Sequence, residues 1–318
     1  MNIFQFLVHR EDHRKDNKVT QLVKHYDEVS DKHKGKELVG QVKADGVCAL
    51  TVVLDGKIKI FSRTGKQFTN TYYMIEAIYK LKLADGVYMG EMCCSYVSLE
   101  VLSGIVNPNR VKPVPSENEE IPKSLEMYFF DNISIKEFLG GRSFLTYSAR
   151  HAELDLKLNL STSSYKGIYI KVLPIYNLID EEAIDRLTSK LVKDGEEGIV
   201  LRDPDAGWEA GHKGWRVMKK VRGVDYDLRC IGFEEGTGKY AGKVANLIFQ
   251  WKNGLTIKAM LGKGWTHQMA KDMYWDVSTP NTPIGKIFQV YALEESSKGK
   301  LRLPKVGEVR FDKDHSDV

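Results

Sequence analysis

The sequence predicts an α+β domain over residues 1–223, followed by a small β-barrel over residues 224–318. Three observations carry the prediction. Up to Gly223, strand and helix signals mix without the regular βαβ period of a doubly wound sheet. Beyond Gly223 the apolar runs shorten to strand length, with one helical stretch among them. In each part a dipeptide, Asp55-Gly56 and Asn253-Gly254, offers the pair of positive φ angles that a two-residue type I′ hairpin needs. The 318 residues exceed one typical domain, and 42% hydrophobic with 28% charged residues is the composition of a globular chain, not a disordered or fibrous one.

Taken in order, residues 1–36 are polar, rich in Lys and His, and read as a short helix or two leading into the first sheet. Regular structure begins at Glu37, with a strand ending at Lys43. Val47 to Leu54 and Lys57 to Ser62 are β-rich runs on either side of Asp55-Gly56. From Thr71 to Leu83 the residues Ile75, Ile78, Tyr79 and Leu81 recur at helical spacing, and Gly86 precedes a strand, Val87 to Met92. Four of the nine prolines and the acidic stretch 117–120 mark Ser103 to Lys123 as a surface loop. Tyr128 to Asp131 and Ile168 to Pro174 read as strands. Asp180 caps a helix to Lys193, with Ile184, Leu187 and Leu191 inward and Gly195 after it, and a strand from Glu197 to Arg202 follows. The barrel comes from Tyr226 to Phe233, Val244 to Trp251, Leu255 to Met260 and Lys286 to Leu293, with a helix near Thr266 to Trp275. About five strands and one helix in that span suggest a barrel of the OB type.

The net charge of +4 splits into +2 on either side of Gly223, so neither half is a basic tail. Any polyanion site must be local. One patch is visible: Lys213, Arg216, Lys219, Lys220 and Arg222 fall within ten residues that contain no acid. Cys48, Cys93, Cys94 and Cys230 lack metal-ligand spacing, which disfavours a zinc site or a disulfide framework. No apolar run approaches about eighteen residues. The expectation is a cytoplasmic protein without a membrane span.

The sharpest chemistry lies in Lys43-Ala44-Asp45-Gly46. A lysine amine, with an ordinary pKa of about 10.4, attacks phosphorus only when neighbouring cations or desolvation favour its neutral form. Behind it, in order, come Ser62-Arg63-Thr64-Gly65, Gly90-Glu91, Phe129-Phe130-Asp131, Glu197-Gly198-Ile199-Val200, the basic segment Trp215 to Val221, Leu301-Arg302-Leu303-Pro304, and Arg310-Phe311-Asp312-Lys313. This series resembles the covalent nucleotidyltransferases, the superfamily of ATP-dependent DNA ligases, RNA ligases and mRNA capping enzymes, and within it the compact bacteriophage-type DNA ligases. The resemblance runs from about Glu37 to Lys313.

It implies an adenylation domain followed by an OB-fold domain, with Lys43 as the nucleophile that takes up AMP. Arg63 would meet the nucleotide or nick phosphate, and Glu91 the ribose and metal. Phe130 would stack on the purine, with Phe129 in the core. Glu197, Glu91 and Asp45 would serve a magnesium ion, with Glu196 the outward neighbour of Glu197 unless the pair is exchanged. Lys219 would face the α-phosphate, and Arg302, Arg310 and Lys313 would bind the β,γ-phosphates so that pyrophosphate leaves. Three departures stand out. Met89 replaces the aspartate of the family's D-G-E, Cys48 replaces the arginine of K-x-D-G-x-R, and the second lysine of K-x-K would be Val217 or Val221, with Lys220 as a substitute. Arg63 or Lys66 would then grip the nick phosphate.

The Gly236 to Lys243 segment lacks the spacing of a phosphate loop and reads as a glycine-rich barrel loop. Lys66, Lys220, Arg222, Lys239 and Lys243 are the candidate DNA contacts. The implied function is sealing of nicked double-stranded DNA by a monomer that uses ATP and Mg²⁺, in the host cytoplasm if the source is a phage, with a hinge near Gly223. RNA ligases and capping guanylyltransferases are the enzymatic rivals, and a non-catalytic OB-type nucleic-acid-binding protein is a rival of another class.

Overall fold

The structure, a computed structural model, describes residues 2–12, 19–159, 165, 167–221, 223–262, 264–276, 279, 282–292, 295–296 and 299–318. The chain divides into two units, Met1–Val221 and Arg222–Val318.

The first unit begins with α1 (Ile3–Asp12), β1 (Leu22–His25), β2 (Leu38–Val42), β3 (Val47–Leu54), β4 (Lys57–Ser62), α2 (Tyr72–Lys80) and β5 (Gly86–Cys93). It continues through α3 (Leu99–Ile105), β6 (Glu126–Ile133), α4 (Ile135–Leu139), β7 (Arg142–Ser143), α5 (Tyr147–Asn159), β8 (Tyr169–Val172) and β9 (Tyr176–Leu178). It closes with α6 (Glu181–Lys193), β10 (Gly198–Arg202), β11 (Trp208–Glu209) and β12 (Lys213–Val221). Two five-stranded sheets result, β4-β3-β5-β6-β8 and β1-β12-β10-β2-β9, beside a small β7-β11 ribbon.

The first sheet is apolar on both faces because β3 and β5 are. Ala49, Val53 and Tyr88 meet Met74, Ile78 and Leu154 from α2 and α5 on one side. Leu50, Val52, Val87 and Met89 meet Ile3 and Leu7 of α1 on the other. The second sheet has two unlike faces. Leu38, Ile199, Leu201 and Met218 pack under Ile184 and Leu191 of α6. The opposite face carries Gln41, Val200 and Lys219, which stand side by side across β2, β10 and β12. Period-two alternation thus gives one face to the core and the other to polar groups. Residues 43–46 carry the chain from β2 of the second sheet into β3 of the first.

In the second unit β13 (Val224–Glu235), β14 (Val244–Gln250), β15 (Thr256–Leu261), α7 (His267–Trp275), β16 (Ile287–Ala292) and β17 (Lys305–Val309) follow. The five strands close into a barrel of order β13-β14-β15-β17-β16, filled by Leu228, Leu247, Phe249, Trp251, Phe288 and Val306.

Both hairpin turns have the expected backbone, with φ of 50° and 71° at Asp55 and Gly56, and 58° and 72° at Asn253 and Gly254. Asp180 caps α6 by accepting the Ala183 N–H at 2.7 Å. Several expectations need correction. Residues 1–36 carry the expected short helix, α1, and two 3₁₀ turns at Tyr26–Glu28 and Asp31–His33, but also an unexpected edge strand at residues 22–25, parallel to β12; tertiary pairing overrides a weak local pattern there. The Ser103–Lys123 loop is not wholly superficial, since Ile121 is buried in the main core. The Thr71–Leu83 helix stops at Lys80. The strand expected at Ile168–Pro174 is β8, shortened to Tyr169–Val172, and a separate strand, β9, follows it in the other sheet. Helix α5, unmarked by a strong apolar stripe, is held by Leu154 and Leu158 and by a buried ion pair of Arg150 with Asp131, Nε to Oδ1 2.8 Å. Among the described residues no helix is long and apolar enough to cross a membrane, and all four cysteines are free.

Candidate active site

Lys43 leaves the end of β2, and its backbone N–H donates to the Gly198 carbonyl at 2.9 Å, which fixes the crossing between the sheets to β10. Its Nζ pairs with Glu197 Oε2 at 2.5 Å. Both side chains are largely shielded from solvent, so the attraction is stronger than that of a surface pair. Gly46 explains the spacing of this motif. A Cβ there would lie 2.5 Å from both Met92 O and Cys93 Sγ, so only glycine lets the turn lie against β5. Gly198 has φ of +148°, and a Cβ on it would come within 2.4 Å of Lys220 O, so Glu197 is followed by glycine for the same reason.

Glu91 stands directly opposite Cys48 in the β3–β5 ladder. Burial pushes its carboxyl up to about 8; Lys43 opposes the shift, Glu197 and Asp45 add to it, and Arg63 opposes it. These five groups therefore share one electrostatic neighbourhood. Asp45 itself is exposed. Met89, at the position of the family aspartate, is buried on the same face of β5 among Leu50, Val87 and Ile133. Burial also pushes the Cys48 thiol up to about 12, with Glu91 adding to it, so Cys48 is a small inert group beside the site. Gly90 is tightly packed, since a Cβ would meet Met127 Sδ at 2.9 Å and Tyr128 O at 3.0 Å.

Lys219 lies on the same face of the second sheet as Lys43. Its pKa is lowered by burial and then by Lys43, while Glu197 opposes the shift. Val217 and Val221 flank it on that face, so neither position two residues away supplies a second lysine. Lys220 points to the opposite face, pairs with Asp185 of α6 and stands 5.5 Å from the Tyr26 ring centre.

Phe129 is buried in the core, whereas Phe130 is only half-buried and carries the Arg202 guanidinium 4.8 Å over its ring. Arg202 donates from Nε to Gln41 Oε1 at 3.2 Å, and Gln41 Nε2 donates to the Leu173 carbonyl at 3.1 Å. Gln41 and Arg202 carry no motif in the sequence, and neither does His25, which pairs with Lys219 across β1 and β12. His25 is lowered by burial and next by Lys219. The signal for Gln41 was available, since it precedes Lys43 by two residues on one strand and so shares its face. His25 gave none, because its segment has no strand signature of its own.

Arg63 is exposed in the turn after β4, and Lys66 of the same turn donates to Asn109 Oδ1 at 3.2 Å. In the second unit, Arg310 and Lys313 both pair with Asp227 of β13. Arg302 is half-buried next to Leu303, whose φ is +51°. Lys239 and Lys243 flank the Tyr240 ring at 5.1 and 5.7 Å in the loop between β13 and β14. Arg222 lies outside the described residues. Among the described residues, no three His, Cys, Asp or Glu side chains form a ready-made metal cage.

Comparison with known proteins adds two matches. The model of the ATP dependent DNA ligase domain matches residues 18–221, and that of the DNA ligase OB-like domain matches residues 235–310. A DNA ligase of Cenarchaeum symbiosum is 26% identical over 230 residues, covering 67% of this chain and 36% of that protein. The chain thus spans little more than a third of the length of such relatives. Two solved structures share the fold. One, from a study of DNA binding by Lig E DNA ligases, has a TM-score of 0.67 at 16% identity, over 92% of this chain and 98% of that one. The other, the ATP-dependent DNA ligase of bacteriophage T7 in complex with ATP, has a TM-score of 0.55 at 17% identity, over 93% of this chain and 100% of that one. With a lysine paired to a glutamate at the crossing of two sheets, an OB-like barrel later in the chain, and a family model covering most of the chain, the protein belongs to the ATP-dependent DNA ligase family.

Proposed function

We propose that the protein seals nicks in duplex DNA with ATP as co-substrate. The observation that carries this reading is Lys43, held beside Glu197 with Glu91, Arg63 and Lys219 around it. Lys43 Nζ attacks the α-phosphorus of ATP; an N–P bond forms, the bond to pyrophosphate breaks, and the lysine carries AMP. An oxygen of the DNA 5′-phosphate then attacks that phosphorus and releases the lysine. Finally the 3′-hydroxyl attacks the activated 5′-phosphate and AMP leaves. Lys219 and Arg63 supply positive charge where the phosphoryl oxygens carry negative charge, and such preset charge is usually the main source of rate enhancement in phosphoryl transfer.

The donor set suits magnesium, which takes one or two carboxylates and completes its shell with water and substrate phosphates, so the lack of a three-residue cage is no obstacle. Glu91, a carboxyl whose charge is disfavoured until a cation arrives, and Glu197 would hold it, with Asp45 nearby. Bound there, the metal would neutralise charge on the phosphates. Phe130 is the surface for the purine, in exchange for its present contact with Arg202. Lys66, Lys239 and Lys243 are the phosphate contacts of the duplex; Lys220, committed to Asp185 on the far face of its strand, is not counted among them. The reading takes the protein as a cytoplasmic monomer, which its four free cysteines suit.

Incubation with labelled ATP or GTP and Mg²⁺, followed by denaturing electrophoresis, tests the reading. Acid-labile label from ATP is expected, and none with Lys43→Ala. Label from GTP alone would move the protein to the capping enzymes, and no label from either would end the proposal. Nicked DNA compared with nicked RNA as acceptor distinguishes the two kinds of ligase.

A further inference from the structure

We infer that Asp227 is the positioning residue of the C-terminal cation motif, a single buried carboxylate that holds Arg310 and Lys313 together as one polyphosphate-binding pair. The inference rests on the ligase reading and deepens it.

Asp227 sits on β13 with its side chain 6% exposed. Arg310 Nη1 donates to both of its oxygens, at 3.1 and 3.0 Å, and Lys313 Nζ pairs with Oδ2. The backbone leaves this carboxylate little freedom. The Asp227 N–H donates to Asp317 Oδ2 at 2.7 Å, and its carbonyl accepts from Asp317 N at 2.8 Å. Arg229, two residues along the strand, donates from Nη2 to the Asp314 carbonyl at 2.7 Å. The segment 310–317 is thus strapped to β13 on both sides of the ion pair.

The Arg310 N–H donates to the Ile287 carbonyl at 2.8 Å, and the Lys313 N–H to the Arg310 carbonyl at 3.4 Å. That turn brings the two cations to the same acceptor. The other edge of the Arg310 guanidinium, Nε and Nη2, is taken by Asp312 at 2.9 and 2.8 Å. Asp312 is 64% exposed and is held down to about 2 by its hydrogen bonds from Arg310. The two carboxylates have different parts. An arriving polyphosphate exchanges with the exposed Asp312, which presents oxygens in the same side-on geometry as a phosphate. The buried Asp227 stays and keeps both cations aligned, because leaving it unpaired would strand a charge out of water.

Only the reaction with ATP releases pyrophosphate, so only that step needs the aligned pair. The test compares two reactions of the full chain: lysine adenylation by labelled ATP and Mg²⁺, and sealing of a nicked duplex whose 5′-phosphate already carries AMP. Asp227→Asn is expected to slow adenylation roughly tenfold or more, as losses of charge alignment do, and sealing at least threefold less than that. Asp227→Glu, which keeps the charge, recovers part of the adenylation. Asp225→Asn, on the same strand but bonded to Gln289, serves as a control for surface charge. Adenylation by Asp227→Asn at the wild-type rate, or equal losses in both reactions, would overturn the inference. A wild-type chain that takes no label from ATP is a different result, and it removes the ligase reading itself.

Discussion

Glu91 carries the most unusual balance at the residue scale. Its carboxyl titrates near 8 in the folded chain against an ordinary value of 4.5, with burial the main cause. Below about pH 4.5 it is neutral whether the chain is folded or not, and it contributes no penalty. As pH rises from there towards 8, the unfolded chain loses this proton and the folded chain keeps it, so stability is lost across that window and levels off above it. Glu91→Gln is therefore expected to add stability increasingly between pH 4.5 and 8, on the order of a few kcal/mol at the top of the range, seen as a rising melting temperature. Magnesium should narrow the gap by favouring the ionised carboxylate. Thermal melts over that range with and without Mg²⁺ read it directly, and a gap independent of pH would show that burial is not the cause. The same reasoning explains how much of the site was legible. Lys43, Glu91 and Glu197 stood out because a glycine three residues after the first and one beside each of the others is needed for close backbone approach, which leaves a motif in the sequence. Gln41 is marked only by its spacing from Lys43, and Arg202 and His25 leave no trace, since a polar residue on a strand reads as a solvated one until the opposing sheet is known.

Among elements, α6 makes the second sheet two-faced by covering Leu38, Ile199, Leu201 and Met218, so the polar side chains of those strands face the other way. Its start depends on the Asp180 cap at 2.7 Å. Asp180→Ala should cost about 1 kcal/mol of stability, seen as an earlier midpoint in urea, and leave the labelling of Lys43 by ATP unchanged. Lost labelling would mean that α6 serves the site as well as the core. The hairpins, the α6 cap and most strands were legible because each has a local signature. Strand β1 was not: Leu22-Val23-Lys24-His25 pairs in parallel with β12, residues some 190 positions away, with an irregular register between Leu22 and Lys24. Parallel edge pairing is decided by the partner and not by the four residues themselves. The fifth barrel strand, β17, is legible only in retrospect, because Lys305-Val306-Gly307-Glu308-Val309 looked like the charged flank of the Arg310 motif.

At the scale of the whole molecule, each unit has cores of its own residues, among the described residues three in the first and one in the second. Phe249 is fully buried in the barrel against Phe288 at 6.0 Å between ring centres. Phe249→Ala should destabilise the barrel by about 3–5 kcal/mol. Hydrogen exchange should then show lost protection in β13 to β17 and unchanged protection in β3, β5 and β6. Loss in both sets would show one cooperative molecule in place of two.

By itself the sequence determined the fold class and the order of the motifs and singled out Lys43 as the proposed nucleophile, because those rest on backbone demands that particular residues meet locally: glycine at tight contacts, type I′ turns, alternation along a strand. Only the tertiary structure decided which charges cooperate. Lys220 and Lys219 are neighbours in the chain and lie on opposite faces of one strand, one bound to Asp185 and the other beside Lys43. Asp227 and Lys313 are far apart in the chain and share an ion pair whose carboxylate is buried. Electrostatic interaction depends on distance and burial in space, and a linear pattern of charges holds neither.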